Sequence, residues 1–271
     1  MISVYINCGL CNQMFQYAAA RALSLRLNTE LYLELSWYSE KTFERRYELD
    51  KYNIVHSEKI PEKSFHLVQE NDGKIFEPRV ISLPDWSCLF GFWQSEKYFE
   101  DYADVIRSEL TLKIPLSEKS RNWARKIQND PVPVSIHIRR GDFISSKLAL
   151  DIFHQLPLEY YDHAVQILKE NFSNLTLYIF SNDMDWCQKV FNYDVPTNFV
   201  DCNDELHGYE DLELMKLCKH HIVANSSFSW FGAWLDGRQG SLVFAPDKFY
   251  TFEKNIHELE RYPDRWIILK A

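Results

Sequence analysis

Between Val132 and Ala245 the sequence alternates short apolar runs with longer amphipathic stretches, and no other feature limits the fold as much. Residues 132–139, 175–181, 199–202, 221–224 and 241–245 read as strands. Residues 158–172, 183–191, 210–219 and 228–235 read as helices. Strands separated by helices are joined by right-handed crossovers, which makes the sheet parallel. A parallel sheet of this kind binds ligands outside the carboxyl ends of its strands. The residues to weigh for function are therefore those at the strand ends.

The first half opens in the same way. Residues 2–7 alternate apolar and polar, as a strand does, and residues 7–12 are turn-like. Gln13 to Leu27 is Ala-rich, with Phe15, Ala18, Ala19, Ala22 and Leu23 at helical spacing, and Leu31 to Leu35 reads as a second strand. This is the β-loop-α-β opening of an α/β protein. Residues 36–90 carry no regular pattern. Ser95 to Leu110 reads as one helix, with Phe99, Ala103, Ile106 and Leu110 on one face. Residues 111–131 are polar, hold Pro115 and Pro131, and read as a domain boundary. A chain of 271 residues has room for two such domains. The expected organisation is α/β throughout: an N-terminal lobe over residues 1–115, a C-terminal lobe over 130–250, a tail over 251–271, and a cleft between the lobes.

Composition narrows the function. The 39 acidic and 30 basic side chains leave a net charge of −9, which repels a phosphate backbone at long range and argues against nucleic acid as a partner. Any phosphate site is then local. No apolar run approaches the roughly 18 residues that span a bilayer. No charged leader with an apolar core precedes the first strand, so a cytoplasmic protein without an integral membrane segment is expected. Six cysteines are too few for a disulfide scaffold in a chain this long. Cys8 and Cys11 form an isolated C-x-x-C with three readings: a zinc half-site without a second ligand pair, a redox pair opening a helix, or small residues filling a turn. No P-loop, G-x-G-x-x-G or G-x-S-x-G occurs, which argues against NTPases, most dinucleotide enzymes and α/β-hydrolases.

Three strand ends in the second half carry polar groups. The first reads Ser135-Ile136-His137-Ile138-Arg139-Arg140-Gly141-Asp142, with Ser135, His137 and Arg139 alternating onto one face. Histidine and arginine are costly to bury unless paired. The arginines either bridge to Asp142 internally or grip an anion, for which the guanidinium fork is suited. The second end reads Phe180-Ser181-Asn182-Asp183-Met184-Asp185-Trp186. Asp183 is open to three roles: an N-cap, an acceptor for a guanine edge or ribose hydroxyls, or, with Asp185, a metal ligand. The third end, Ala224-Asn225-Ser226-Ser227-Phe228, runs into an aromatic helix. Its serines either cap that helix or present backbone N–H groups to phosphate.

The segment Gly9-Leu10-Cys11-Asn12-Gln13-Met14-Phe15-Gln16-Tyr17-Ala18 is similar to the GGLGNQMFQYA opening of the α-1,2-fucosyltransferases of glycosyltransferase family 11. His137-Ile138-Arg139-Arg140-Gly141-Asp142 resembles their H-x-R-R-x-D motif, and Phe180–Trp186 and Ser226–Leu235 resemble two later motifs in the same order. The resemblance implies a GT-B-like fold of two Rossmann-like lobes, an inverting transfer from GDP-fucose to a galactoside-terminated acceptor, and no cofactor or essential metal. It implies that Arg139 holds the β-phosphate of the departing GDP and that His137 sits beside the donor. It makes Asp183 a candidate for guanosine recognition, gives the diphosphate to Ser226, Ser227 and Phe228, and turns Asn12 toward the cleft. Asp142 is the first candidate for the acceptor base and His137 the second. Cysteines at 8 and 11 and Phe143 depart from the family pattern, and Phe231 stands within its SWWGAW segment. Other open readings are a GDP-fucose transferase of α-1,6 or protein O-linkage, and a non-catalytic protein that binds glycan or nucleotide.

Overall fold

A computed structural model of the chain describes residues 1–39, 45–59, 61–71, 73, 75–141, 147–251 and 260–271. It divides into two compact units, one over residues 1–115 joined by 260–263, the other beginning at Leu116 and including 264–271. The change of unit falls inside the polar stretch 111–131.

The first unit is built on a parallel sheet of four strands, β1 (Ile2–Tyr5), β2 (Leu31–Glu34), β3 (His66–Gln69) and β4 (Ser87–Phe90), in the order β2-β1-β4-β3. Helix α1 (Leu10–Arg26) makes the crossover from β1 to β2. Thirteen of its side chains are buried, which explains its Ala-rich sequence: small residues let neighbouring backbone approach on every side. It ends in a Schellman turn. Asn28, at φ +50°, takes the left-handed position, while Thr29 N–H donates to Ser24 O (2.9 Å) and Asn28 N–H to Leu25 O (3.1 Å).

The single helix expected over 95–110 is broken. Two 3₁₀ turns, at 96–98 and 100–102, lead into a short helix α2 (Ala103–Glu109). Tertiary burial overrides the periodicity here. Tyr98 and Phe99 are consecutive and both fully buried, and Phe99 leaves the helical region at φ −140°. Tyr98 is held in place by the Glu77 N–H, which donates to its hydroxyl at 2.9 Å. Arg21 and Tyr17 of α1 clasp Glu109 of α2 at 2.7 and 2.6 Å.

The second unit is a six-stranded parallel sheet with β5 (Val132–Ile138), β6 (Leu175–Ser181), β7 (Thr197–Phe199), β8 (His220–Ile222), β9 (Val243–Pro246) and β10 (Ile267–Leu269). Their order, β10-β9-β8-β5-β6-β7, is the doubly wound Rossmann order. The helices are α3 (Glu118–Gln128), α4 (Lys147–Ile152), α5 (Leu158–Asn171), α6 (Met184–Val190), α7 (Gly208–Leu217) and α8 (Ser227–Trp234). Two parallel sheets covered by helices make the chain α/β of the GT-B kind, as expected. Helix α3 occupies the stretch read as a linker. It buries only Ser120, Ala124 and Ile127, so its sequence looks polar, and Ser117 caps it. Strand β10 lies in the stretch read as a tail, where it extends the sheet beside β9.

Candidate functional site

In the second sheet every neighbouring pair of strands is consecutive in sequence except β5 and β8. At that pair the chain switches direction, and the crevice outside the two carboxyl ends is where such a sheet accepts a ligand. Arg139 and Arg140 follow β5 there, and Asn225, Ser226 and α8 follow β8. His137, Arg139 and the Ser226–Phe228 segment are thus brought to one place. The rings of His137 and Phe228 lie 5.4 Å apart.

A buried polar network holds the two strands together beneath this crevice. Ser135 and His221 are register partners across β5 and β8, with Oγ and Nδ1 at 2.8 Å. The other ring nitrogen of His221 lies 3.4 Å from Asp236, which Arg238 also grips. Ser135 and His221 are fully buried, so the trio is a brace rather than a nucleophile with its base. Beyond the strand ends, Tyr160 donates to Val223 O at 2.7 Å, and Asn225 Nδ2 donates to His154 O and Phe249 O, each at 2.8 Å. Asn225 is therefore fixed as scaffold.

Helix α8 begins with Ser226, whose backbone is extended and whose Oγ accepts the Phe228 N–H at 3.3 Å. Capping and anion binding are compatible here, because the first turn carries more N–H groups than one hydroxyl can satisfy.

His137 is 4% exposed, and its Nδ1 is buried without a hydrogen-bond partner among the described residues. Burial, together with the Arg139 charge, pushes its imidazole down to about 3, so it is neutral at physiological pH. A neutral imidazole donates one hydrogen bond and is a poor base.

Arg140 is partly buried and anchored by neighbouring side chains. Its guanidinium stacks 3.8 Å above the Trp186 ring and its Nε lies 3.3 Å from Asp183 Oδ2. The other Asp183 oxygen caps α6 by accepting the Trp186 N–H at 3.4 Å. Asn182 Oδ1 accepts the N–H groups of Arg140 and Gly141, both at 3.1 Å. A Cβ at position 141 would come within 2.4 Å of Asn182 Nδ2, which accounts for glycine there. Asn182 and Trp186 were not singled out from sequence as positioning groups. The strand pairing of β5 with β6 was the only available signal, because it sets Ile138 opposite Ser181. Asp142 and Phe143 lie outside the described residues. Among the described residues, no group of three His, Cys, Asp or Glu side chains is placed to hold a metal.

The first sheet has one unlinked neighbouring pair too, β1 with β4. Asn12 lies in this unit, in the first turn of α1 beyond β1. Gln13 and Gln16 are scaffold. Gln13 donates to Cys8 O (3.0 Å) and Arg46 O (2.7 Å) and accepts the Glu48 N–H (2.9 Å), while Gln16 ties Asn7 to Gly91 O. Cys8 stands at φ +61°, a left-handed conformation that suits glycine. Cys8 and Cys11 are not joined in a disulfide, and burial pushes the Cys8 thiol up, opposite to the lowering that a reactive redox cysteine shows. The strain at Cys8 is on the order of 1 kcal/mol. Cys8→Gly is therefore expected to raise the melting temperature by about 2 °C, its relief of strain outweighing the added freedom of the unfolded chain. Calorimetry checks this, and a lower melting temperature would contradict it.

The chain is a glycosyltransferase: it belongs to glycosyl transferase family 11, whose family model matches residues 1–270. It is similar to an alpha-1,2-colitosyltransferase of Escherichia coli, with 31% identity covering 96% of this chain and 95% of the other. It is also similar to the O-antigen biosynthesis glycosyltransferase WbnK of Escherichia coli, with 28% identity over 90% and 93% of the two chains. The mouse galactoside 2-alpha-L-fucosyltransferase Sec1 is 25% identical over 88% of this chain and 65% of its own. Among solved structures, the fucosyltransferase NodZ from Bradyrhizobium aligns at 13% identity and a TM-score of 0.46, covering 85% of this chain and 92% of that one. No helix among the described residues is long and apolar enough to cross a membrane.

Proposed function

We propose that this glycosyltransferase moves fucose from GDP-fucose to the 2-hydroxyl of a terminal galactoside, with inversion, in the building of a bacterial surface glycan. The observation that carries the reading is that Arg139 and the head of α8 follow the carboxyl ends of two neighbouring strands, β5 and β8, the unlinked pair of the second sheet. Cleavage of the donor passes through an oxocarbenium-like sugar and leaves a nucleoside diphosphate. The charge that develops on that diphosphate is what the protein must stabilise. Arg139 grips the β-phosphate, the backbone and hydroxyls of Ser226 and Ser227 bind the remaining oxygens, and Phe228 lies beside the donor. Neutral His137 donates a single hydrogen bond at the strand end. Asp183 borders the nucleoside, with its carboxylate already engaged by Arg140. Asp142 takes the acceptor proton, since His137 is too weak a base. Family membership and relatives named for α-1,2 transfer support the linkage.

The test is GDP release from GDP-fucose with and without galactoside acceptors, followed by linkage analysis of the product. GDP-colitose joins the donor panel because one relative is named for colitosyl transfer. Acceptor-dependent GDP release and a 2-linked product are expected. Nucleotide binding without turnover would point to a non-catalytic protein, and a product of another linkage to a different transferase.

No divalent metal is needed in this proposal, because Arg139 and the α8 amides supply the countercharge and Asp183 is already shared between Arg140 and the Trp186 N–H. Full turnover in excess EDTA is expected. Loss of turnover that one defined metal restores would reassign Asp183 and Asp185 as ligands.

A further inference from the structure

The sheet of the first unit has a switch point of its own, at β1 beside β4. Strand β1 leads through α1 to β2 on one side, and β4 is reached from β3 on the other, so no crossover joins β1 to β4. The segments beyond their carboxyl ends are residues 6–12 and 91–95. Both contain a non-glycine residue in the left-handed region, Cys8 at φ +61° and Trp93 at φ +56°. Such conformations persist only where their surroundings over-determine them. Around Trp93 that support is visible. Glu70 accepts the Phe92 N–H at 2.7 Å and the Trp93 N–H at 3.0 Å. Trp93 is fully buried, and its indole nitrogen has no hydrogen-bond partner among the described residues. The two Glu70 hydrogen bonds thus hold this backbone in a conformation it would otherwise disfavour, between Phe92 and Gln94. Phe92 is an aromatic ring left 38% exposed, and Gln94 is half-buried.

Gln94 Nε2 donates to Asn12 Oδ1 at 2.8 Å, which joins the two strand ends. Each side-chain amide has one NH₂ and one carbonyl oxygen. The bond between them uses one proton of the Gln94 NH₂ and one lone pair of the Asn12 oxygen, leaving the whole Asn12 NH₂ as a donor and the Gln94 oxygen as an acceptor on two bonded neighbours. Reversing both amides leaves the same complement. A neighbouring donor and acceptor match a hydroxyl, which gives and takes one hydrogen bond at once, and neither group carries a charge that would call for phosphate.

We infer that Gln94 and Asn12 read a hydroxyl of the acceptor sugar and that Phe92 is the apolar surface its ring lies against. The inference rests on the proposed transfer to a galactoside and deepens it, because it names the groups that choose the acceptor.

The test is steady-state kinetics on wild type, Gln94→Ala, Gln94→Glu and Phe92→Ala, with melting temperatures as a check on folding. Loss of one neutral hydrogen bond to a bound hydroxyl predicts an acceptor KM about tenfold higher in Gln94→Ala. The GDP-fucose KM should stay within about twofold of wild type. Acceptors lacking one hydroxyl each supply a second readout. One of them should cost wild type as much as Gln94→Ala costs the full acceptor, and Gln94→Ala should be indifferent to that removal. Unchanged acceptor KM in Gln94→Ala, or donor and acceptor constants rising together, would overturn the assignment. If wild type transfers no fucose, the functional reading falls separately. Calorimetric titration of the galactoside alone into wild type and Gln94→Ala then decides the subsite, and equal affinity, or none in either, rejects it.

Discussion

Arg139→Ala is expected to lower kcat for fucosyl transfer on the order of 10²–10³-fold, the usual cost of one preorganised donor to developing charge. Arg139 follows directly on β5 at the switch between β5 and β8, where the proposed reaction would develop the negative charge of the departing diphosphate. Lysine at 139 should rescue poorly, because an ammonium is a point charge without the planar fork that meets two phosphate oxygens at once. Arg140 is the internal control. Its guanidinium is spent on Asp183 and Trp186, so Arg140→Ala should act through the placement of its neighbour and show a smaller loss of kcat together with a lower melting temperature. Single-turnover rates with saturating GDP-fucose separate the two. Near-normal turnover in Arg139→Lys would remove the bidentate role, and an Arg140→Ala defect as deep as that of Arg139→Ala would show that both arginines meet the donor.

Strands β5, β6 and β9 were legible because central strands of a parallel sheet are nearly continuous apolar runs, and β8 through the apolar residues 222–224 at its end; Arg139 and Ser226 then fell just past strand ends. Elements with little to bury were not. Strand β3 buries only Val68, and α3 shows no broad apolar stripe. The break at Phe99 was invisible because it answers to Glu77 and to the burial of Tyr98, which no local pattern encodes. The site divides on the same line. Residues carried on strand ends could be proposed from spacing. Their anchors could not, since the stack of Arg140 on Trp186 and the bond from Gln94 to Asn12 each join segments far apart in sequence. Cys8 shows the converse, where a departure from the family's glycine became interpretable only once its positive φ was known.

The second unit is expected to lose stability steeply below about pH 6.5, and buried histidines are the cause. His137, His220 and His221 are at most 4% exposed. Burial is the main cause of each shift. It pushes His137 down to about 3, with help from Arg139, and His220 down to about 4, with help from His221 and Lys219. His221 is also lowered by burial, against the pull of Asp236. In the unfolded chain all three return to about 6.5. Between those values the unfolded chain binds protons that the folded one refuses, so stability falls as pH falls, by about 1.4 kcal/mol per pH unit for each histidine. From pH 6.5 to 4.5, His137 and His220 together should cost roughly 4–5 kcal/mol. Asp211 works the other way, because burial raises its carboxyl to about 6 and the folded state then takes up a proton first. It returns about 2 kcal/mol over the same interval. Urea unfolding at pH 7, 6 and 5 should show the midpoint dropping, and His220→Gln should flatten the slope by about one proton. A wild-type midpoint that is level from pH 7 to 5 would refute the account. Activity should vanish in the same interval, because acid unfolding separates β5 from β8, the two strands whose ends bear Arg139 and Ser226. Acid inactivation would then track unfolding rather than the titration of a catalytic base, and circular dichroism recorded beside the pH–rate profile distinguishes the two.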